Sequence, residues 1–255
     1  MNRLKFQYLI AVLVTFILAG CGADSSDVAN GQDGQSGSTS RFTIQQGYLV
    51  VVDSPYIQSF RIDSETGALY PLDQIGFNRE LQTAHAYGTQ QVLVGTTTGT
   101  LIMNVSSSGE LALESFVDHA RSCDPVVADG NTMYVTLSNS GTAGSCGGSE
   151  YDNHLLVYDI TDIEQPVLRG TVALDQPTGL AIDGDNLWVC YAGGLKRFSR
   201  EGNWSVTETG AFSDLSCNDI IIDGTASYLT NDDGVQLVDL QDSTPVVLAV
   251  IAEGS

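Results

Sequence analysis

Residues 180–191 read LAIDGDNLWVCY, in which two short apolar runs are joined by an Asp-Gly pair. An Asp-Gly pair between apolar runs is a strong signal for a two-residue β-hairpin turn. The same pattern recurs in PVVADGNTMYVTL at 125–137 and in IIIDGTASYLT at 220–230. From Arg41 onward the chain repeats such short β-rich runs and has no convincing helical period.

The hairpin signal recurs at a nearly constant interval. The turn glycines are Gly47, Gly88, Gly130, Gly184 and Gly224. The gaps between them are 41, 42, 54 and 40 residues, and the long gap contains a Gly/Ser-rich insertion at 138–153. A second set follows about ten residues after a turn glycine and consists of Gly99, Gly194 and Gly234. A period near 42 residues with four short strands per unit is typical of β-propeller blades.

The repeat divides the chain into five units. Their ranges are 41–77, 78–118, 119–175, 176–213 and 214–253. We therefore predict an all-β fold, a propeller of five blades with four antiparallel strands each, and the alternative is a six-blade ring with one degenerate blade. Each unit begins with an inner strand and ends with an outer one, so the sequence shows no strand exchange where the ring closes.

The first 20 residues have the features of a secretory signal peptide. Arg3 and Lys5 precede an apolar run of 12 residues, which is shorter than the roughly 20 residues needed to span a bilayer. The run ends in Leu-Ala-Gly-Cys at 18–21, which resembles the cleavage motif of bacterial lipoproteins. That resemblance implies diacylglycerol on the Cys21 sulfur and an acyl chain such as palmitate on its amine. The alternative is an ordinary signal peptide with a chance cysteine.

The segment after the signal peptide is predicted to be a tether. Residues 21–40 contain the lipidated cysteine followed by Gly, Ser, Asp, Asn and Gln, with no aromatic residue, so they cannot form a core. Residues 41–255 then form the propeller domain. Gly22 stands where Asp would favour retention at the inner membrane, so we expect an outer-membrane lipoprotein in the bacterial cell envelope.

The charge of the chain restricts its partners. It contains 10 basic and 31 acidic residues, which gives a formal net charge of −21. Such a surface repels nucleic acid and anionic lipid headgroups. We therefore predict no nucleic-acid partner, and we expect contact with the membrane only through the lipid on Cys21.

Several stretches resemble the LVIVD-repeat β-propeller family. LLVYDIT at 155–161 and LVDL at 237–240 are similar to the repeat that names the family. FVDHARSCDPVV at 116–127 and PTGLAIDGDNLWVC at 177–190 resemble uncharacterised bacterial lipoproteins of that family, although Thr178 stands where relatives commonly have His. The resemblance implies a propeller in the cell envelope and implies no activity.

The remaining four cysteines are predicted to form disulfides, which export permits. In a blade, the start of the first strand and the loop between the second and third strands lie on the same face. Cys123 and Cys146 occupy these two positions in the third blade. Cys190 lies late in the second strand of the fourth blade and Cys217 at the start of the first strand of the fifth, so they share that face on neighbouring blades. We therefore predict the pairs Cys123–Cys146 and Cys190–Cys217. The alternatives are a buried free thiol at Cys190 and a metal cluster, for which the chain lacks a Cys-x-x-Cys motif.

Polar residues near the starts of the blades form a candidate binding face. They are His85, His119, Asp124, Asn218 and Asp219. The alternative interpretation is that these side chains only cap strand ends and fix loops. The sequence contains no nucleophile–base arrangement, phosphate loop, calcium loop or paired-His motif, so we predict no catalytic residue, cofactor or metal.

These observations predict a function class rather than a reaction. We expect a membrane-anchored lipoprotein whose acidic propeller is a non-catalytic binding or scaffold module for another envelope protein or an extracellular ligand. Two alternatives stay open. One is a metal-dependent hydrolase or lactonase-like propeller enzyme, and the other is a purely structural surface lipoprotein.

Overall fold

The computed structural model of the protein describes residues 37–119, 125–138, 153–241 and 244–252. These residues form twenty β-strands, arranged in five antiparallel sheets of four strands, and no helix. Within these ranges there is consequently no helix of the length and apolarity that crossing a bilayer requires. The prediction of an all-β propeller with five blades is confirmed.

Each blade uses one continuous stretch of chain. Blade 1 contains β1 (Phe42–Gln45), β2 (Tyr48–Asp53), β3 (Tyr56–Ile62) and β4 (Leu69–Gly76). Blade 2 contains β5 (Leu81–Tyr87), β6 (Gln91–Thr96), β7 (Gly99–Val105) and β8 (Leu111–Asp118). Blade 3 contains β9 (Val126–Asp129), β10 (Thr132–Leu137), β11 (His154–Asp159) and β12 (Val167–Ala173).

Blades 4 and 5 follow the same plan. Blade 4 contains β13 (Leu180–Asp183), β14 (Asn186–Tyr191), β15 (Gly194–Glu201) and β16 (Ser205–Phe212). Blade 5 contains β17 (Asp219–Asp223), β18 (Ala226–Asn231), β19 (Gly234–Asp239) and β20 (Val246–Ala252). In every sheet the strands pair in chain order from the first, inner strand to the fourth, outer strand. No sheet of the described residues therefore takes a strand from another blade.

The turn between the first two strands of each blade explains the spacing of the glycines. All five turn glycines have positive φ angles, between 53° and 77°. This left-handed conformation suits a tight hairpin turn and is strained for residues that carry a Cβ atom. The sequence period of about 42 residues is therefore the repeat of one hairpin geometry.

Apolar side chains on alternate strand positions form four cores between consecutive blades. Each core contains buried residues of two consecutive blades, for example Val50 and Leu101, Ile102 and Met133, Tyr134 and Phe198, and Trp188 and Leu229. Blades 1 and 5 differ on the sides that turn away from these cores, because Phe42, Tyr56 and Tyr228 are exposed there. Blade 5 packs against blade 4 through the fourth core, and no fifth apolar core among the described residues joins it to blade 1. Residues 37–40 contact blade 5 through Asp219.

Candidate binding face

We call the end of the propeller at which every inner strand begins the upper face. The loops between second and third strands and the connections between blades also lie at this end, because neighbouring strands run antiparallel. Three features meet here: a disulfide, an anchored N-terminal segment and a cleft between blades 3 and 4.

A disulfide joins blades 4 and 5 on the upper face. Cys190 is the fifth residue of β14, and Cys217 precedes β17 by two residues. The two residues are bonded, with Cα atoms 5.4 Å apart, and both side chains are buried. The predicted Cys190–Cys217 bridge is confirmed, whereas Cys123 and Cys146 lie outside the described residues, as does Cys21.

Asp219 binds the N-terminal segment rather than presenting a free carboxylate. Its buried carboxylate accepts hydrogen bonds from the hydroxyls of Ser38, at 3.0 Å, and Thr39, at 2.6 Å. The Ser38 hydroxyl in turn accepts a hydrogen bond from the Leu180 amide at 2.8 Å. Burial raises the pKa of Asp219 above its ordinary value, although the bonds from Thr39 and Ser38 act in the opposite direction. This arrangement fits the alternative in which a polar residue fixes a loop.

These contacts shorten the tether. The sequence predicts a flexible segment through Ser40, but Ser38 is buried and the carbonyl of Ser40 accepts a hydrogen bond from the Ala84 amide at 2.7 Å. Residues 37–40 therefore belong to the folded domain and contact blades 2, 4 and 5. Polar composition suggested a linker, and the contacts that order this segment come from residues far away in sequence.

Asn218 lies on the upper face as predicted, and it is exposed. Its side-chain amide donates to the Asp232 carboxylate at 2.9 Å. Its backbone amide donates to the Thr230 carbonyl, and its carbonyl accepts from the Gly179 amide, at 2.7 and 2.8 Å. Asn218 therefore ties the start of blade 5 to its own second strand and to blade 4.

His85 is not on the upper face, so its assignment to the binding face is wrong. It is the fifth residue of β5, past the middle of a strand that starts at Leu81, and it pairs with Leu93 on the side that faces blade 3. Its Nδ1 atom is buried without a hydrogen-bond partner. Burial lowers the pKa of His85 to about 4, which keeps the imidazole neutral at pH 7.

The two remaining candidates flank the connection between blades 2 and 3. His119 directly follows β8 on the upper face, and its backbone amide donates to the Thr98 carbonyl at 3.2 Å. Asp124 lies outside the described residues. The structure thus places His119, Asn218 and Asp219 at the same end of the propeller, and only the last two are adjacent.

A cleft between blades 3 and 4 opens on the upper face. Its volume is about 500 Å³, and its lining consists of Asn153, His154, Ala173, Leu174, Asp175, Tyr191 and Lys196. Backbone hydrogen bonds fix the rim, from Leu174 to Asn153 at 3.2 Å and from Ala192 to Asp175 at 3.0 Å. Tyr191 of the cleft directly follows Cys190, whose disulfide with Cys217 joins blade 4 to blade 5.

Lys196 supplies the positive charge of the cleft. Its Nζ atom lies 2.6 Å from Glu208 on the neighbouring strand β16 and 5.1 Å from the centre of the Tyr191 ring. Lys196 is the only lysine after the first 20 residues of this acidic chain. The single lysine was the only feature of the sequence that pointed to the cleft. No local motif contains the lining residues, because they come from four strands of two blades.

The lining supports recognition of a polar molecule. Asp175 and Lys196 offer charges of opposite sign, and Tyr191 offers an aromatic face with a hydroxyl. Among the described residues, no cluster of three or more His, Cys, Asp or Glu side chains is arranged to hold a metal ion. The groups in the cleft are those that bind and orient a ligand by charge, hydrogen bonds and stacking.

No family model and no curated protein matches the chain. Solved structures are similar in fold. A protein from Lactobacillus plantarum is 16% identical with a TM-score of 0.59, covering 80% of this chain and 67% of its own. A functionally unknown protein from Desulfotomaculum acetoxidans is 13% identical with a TM-score of 0.61, covering 82% and 67%. A luciferin-regenerating enzyme is 12% identical with a TM-score of 0.55, covering 86% and 77%. These similarities support the propeller fold alone.

Proposed function

We propose that this protein is a lipid-anchored lipoprotein of the bacterial envelope whose propeller is a non-catalytic binding module. The ligand contacts the cleft between blades 3 and 4, and it is either a segment of another envelope protein or a small extracellular molecule. The LVIVD-repeat relationship belongs to the same proposal and rests on the sequence resemblance only.

The observation that carries the proposal is the cleft itself. It is a polar recess of about 500 Å³ on the upper face, and it contains Lys196 in a chain with a net charge of −21. Pockets of this size are typical of ligand sites, which combine apolar walls with a few oriented polar groups. Ala173 and Leu174 supply apolar wall, whereas Asp175 and Lys196 supply the orienting charges.

Rigid supports surround the cleft. The Cys190–Cys217 disulfide fixes blade 4 to blade 5 next to Tyr191, and the core between blades 3 and 4 includes the fully buried Leu180 and Phe198. A rigid site loses less conformational entropy when a ligand binds, so affinity is gained without new contacts. This supports a binding role for the upper face.

The anchor gives the module its location in this proposal. Cleavage before Cys21 leaves residues 22–36 between the lipid and the first described residues. A module anchored through Cys21 would meet its partners at the membrane to which the lipid attaches it.

Thermal melting with candidate ligands tests the proposal. We expect peptides or small zwitterions that bind the native protein to raise its melting temperature. Lys196→Gln should weaken that binding about tenfold, or about 1.4 kcal/mol, because it removes the cation of the cleft. The matched control is Arg169→Gln. Arg169 lies on β12, the outer strand of blade 3, and its side chain forms a comparable ion pair with Asp159 at 2.8 Å, which the substitution breaks.

Three results would contradict the proposal. Equal loss of binding in the Lys196→Gln and Arg169→Gln variants would place the ligand elsewhere or show a general effect of charge. Stoichiometric divalent metal in the purified protein, measured by elemental analysis, would favour the hydrolase alternative. Absence of any ligand or envelope partner would favour a purely structural lipoprotein.

A further inference from the structure

The charge of Lys196 is already compensated within the cleft between blades 3 and 4. Its ammonium nitrogen lies 2.6 Å from the Glu208 carboxylate, and its side chain is only 19% exposed. The same nitrogen lies 5.1 Å from the centre of the Tyr191 ring, which adds a cation–π contact. An ammonium group has three N–H donors, so Lys196 retains donors for a ligand after its bond to Glu208.

Asp175 supplies a second charge to the cleft, and this one is not compensated by a described residue. It is exposed in the connection between β12 and β13, and its backbone carbonyl accepts a hydrogen bond from the Ala192 amide at 3.0 Å. That bond fixes the backbone at the rim, whereas no ion pair among the described residues includes the Asp175 carboxylate. With histidine counted as neutral, two carboxylates and one ammonium leave the site with one net negative charge.

A cation with a neighbouring uncharged acceptor is the ligand chemistry that these groups fit best. A ligand ammonium group would neutralise Asp175, and a carbonyl oxygen would accept the remaining N–H donors of Lys196. A ligand carboxylate would instead add negative charge beside Glu208, in a chain whose net charge of −21 attracts cations and repels anions. The free N-terminus of a peptide has this combination, because its α-ammonium group is adjacent to the carbonyl of the first peptide bond.

The walls of the cleft add a preference for an apolar first side chain. Ala173 and Leu174 line the recess beside Asp175, and its volume of about 500 Å³ is in the range of ligand pockets. The Tyr191 ring lies directly against Gly193, where an added Cβ atom would collide with it. This wall is therefore formed by close packing within the turn after β14, before any ligand is present.

We propose that the cleft binds the free N-terminus of a peptide. The α-ammonium group lies at Asp175, the first carbonyl oxygen at Lys196 and an apolar first side chain against Leu174. This inference rests on the proposed binding function of the same cleft and names the chemistry of its ligand. A free amino acid binds more weakly than the peptide, since it has a carboxylate where the peptide has an uncharged carbonyl.

Titration calorimetry of the full chain tests the recognition of the amine. The probe is leucyl-alanine amide, whose only charge is the α-ammonium group, and its comparison compounds are the N-acetylated form and free leucine. We expect acetylation to weaken binding at least about tenfold, because it removes the charge that pairs with Asp175. Free leucine should also bind more weakly than the dipeptide amide.

A variant of Asp175 shows whether this residue senses the amine. Asp175→Asn should weaken binding of the free dipeptide amide about tenfold and should leave binding of the acetylated form unchanged. The matched control is Asp185→Asn, which makes the same change of charge at an exposed position in the hairpin between β13 and β14, at the opposite end of blade 4. It should leave binding of both compounds unchanged.

Several results would overturn the inference. They are the absence of binding by the dipeptide amide, equal affinity for the free and acetylated forms, equal losses in Asp175→Asn and Asp185→Asn, and tighter binding of leucine than of the dipeptide amide. If both dipeptide forms bind equally and Lys196→Gln weakens both, only the assignment of the amine is wrong and the cleft remains a binding site. Failure of the proposed function is a different result, namely no adduct from a photoreactive side chain at residue 191 in the native envelope.

Discussion

Asp219 connects the beginning of the described chain to its last blade. Its carboxylate accepts hydrogen bonds from Ser38 and Thr39, which are about 180 residues away in sequence. The Ser38 hydroxyl continues this network to the Leu180 amide of blade 4. A buried carboxylate with these partners is stabilising only while the partners remain, because a buried acceptor without donors costs free energy.

We predict that Asp219→Ala lowers the free energy of unfolding by about 1–3 kcal/mol, because the hydroxyls of Ser38 and Thr39 lose their shared acceptor. Urea unfolding followed by circular dichroism measures this change. Asp232→Ala is the control, since Asp232 is exposed and its bond to Asn218 lies at the surface. Equal losses in the two variants would show that burial of Asp219 adds nothing.

His85 should make folding stability dependent on pH. Its pKa is about 4 in the folded protein and about 6.5 when exposed, so the unfolded chain binds a proton more readily in between. The stabilisation from neutral His85 is complete above pH 6.5 and is lost as the pH falls towards 4. The difference between these two pKa values corresponds to at most about 3.4 kcal/mol.

Comparison with His85→Gln isolates this effect from the many carboxylates of the chain. Between pH 7 and pH 4, the wild type should lose about 2–3 kcal/mol more stability than the variant, measured by urea unfolding at each pH. An NMR titration of the His85 imidazole provides the second measurement. Parallel pH profiles, or a His85 pKa near 6.5 in the folded protein, would contradict the burial described here.

At the scale of elements, the disulfide holds the connection between blades 4 and 5. Cys190 and Cys217 are 27 residues apart, and closing a loop of that length in the unfolded chain corresponds to about 3.5 kcal/mol in the chain-entropy account. We expect the double variant Cys190→Ser/Cys217→Ser to lose stability of this order, measured by urea unfolding, and to retain the β-rich circular dichroism spectrum. An unchanged midpoint would show that the bridge does not constrain the blades.

The third strands of blades 2, 4 and 5 begin with a glycine. Gly194 has a φ angle of 120°, and a Cβ atom there would collide with the Phe212 carbonyl of the paired outer strand. We predict that Gly194→Ala destabilises the protein by about 2–4 kcal/mol. Gly202→Ala should change stability by less than about 0.5 kcal/mol, because nothing lies within 4 Å of its added Cβ atom. Thermal melting of both variants measures this difference in stability. Similar melting temperatures would contradict the predicted collision at Gly194.

Local turn chemistry was readable from the sequence, and contacts between distant segments were not. The Asp-Gly pairs at Gly130, Gly184 and Gly224 predicted the first hairpins of blades 3, 4 and 5 because the backbone conformation of a tight turn is a local property. The burial of residues 37–40 and of His85 depends on neighbouring blades. The cleft was missed for the same reason, since strands from two blades form it.

At the scale of the whole molecule, four apolar cores hold five blades in order, and the sides of blades 1 and 5 outside these cores retain exposed aromatic residues. The chain covers 67% of the length of the solved structures from Lactobacillus plantarum and Desulfotomaculum acetoxidans. Besides its fold, this propeller combines an acidic composition with a cleft on the upper face that contains Lys196.

Photochemical crosslinking in the native envelope tests the proposed binding module most directly. A photoreactive phenylalanine replaces Tyr191 in the cleft or, as the control, Leu168 on the exposed outer strand of blade 3. We predict that the protein fractionates with membranes and that only the variant at residue 191 forms one discrete adduct, identified by mass spectrometry. A soluble protein, no adduct at residue 191, or the same adduct from both positions would contradict the account.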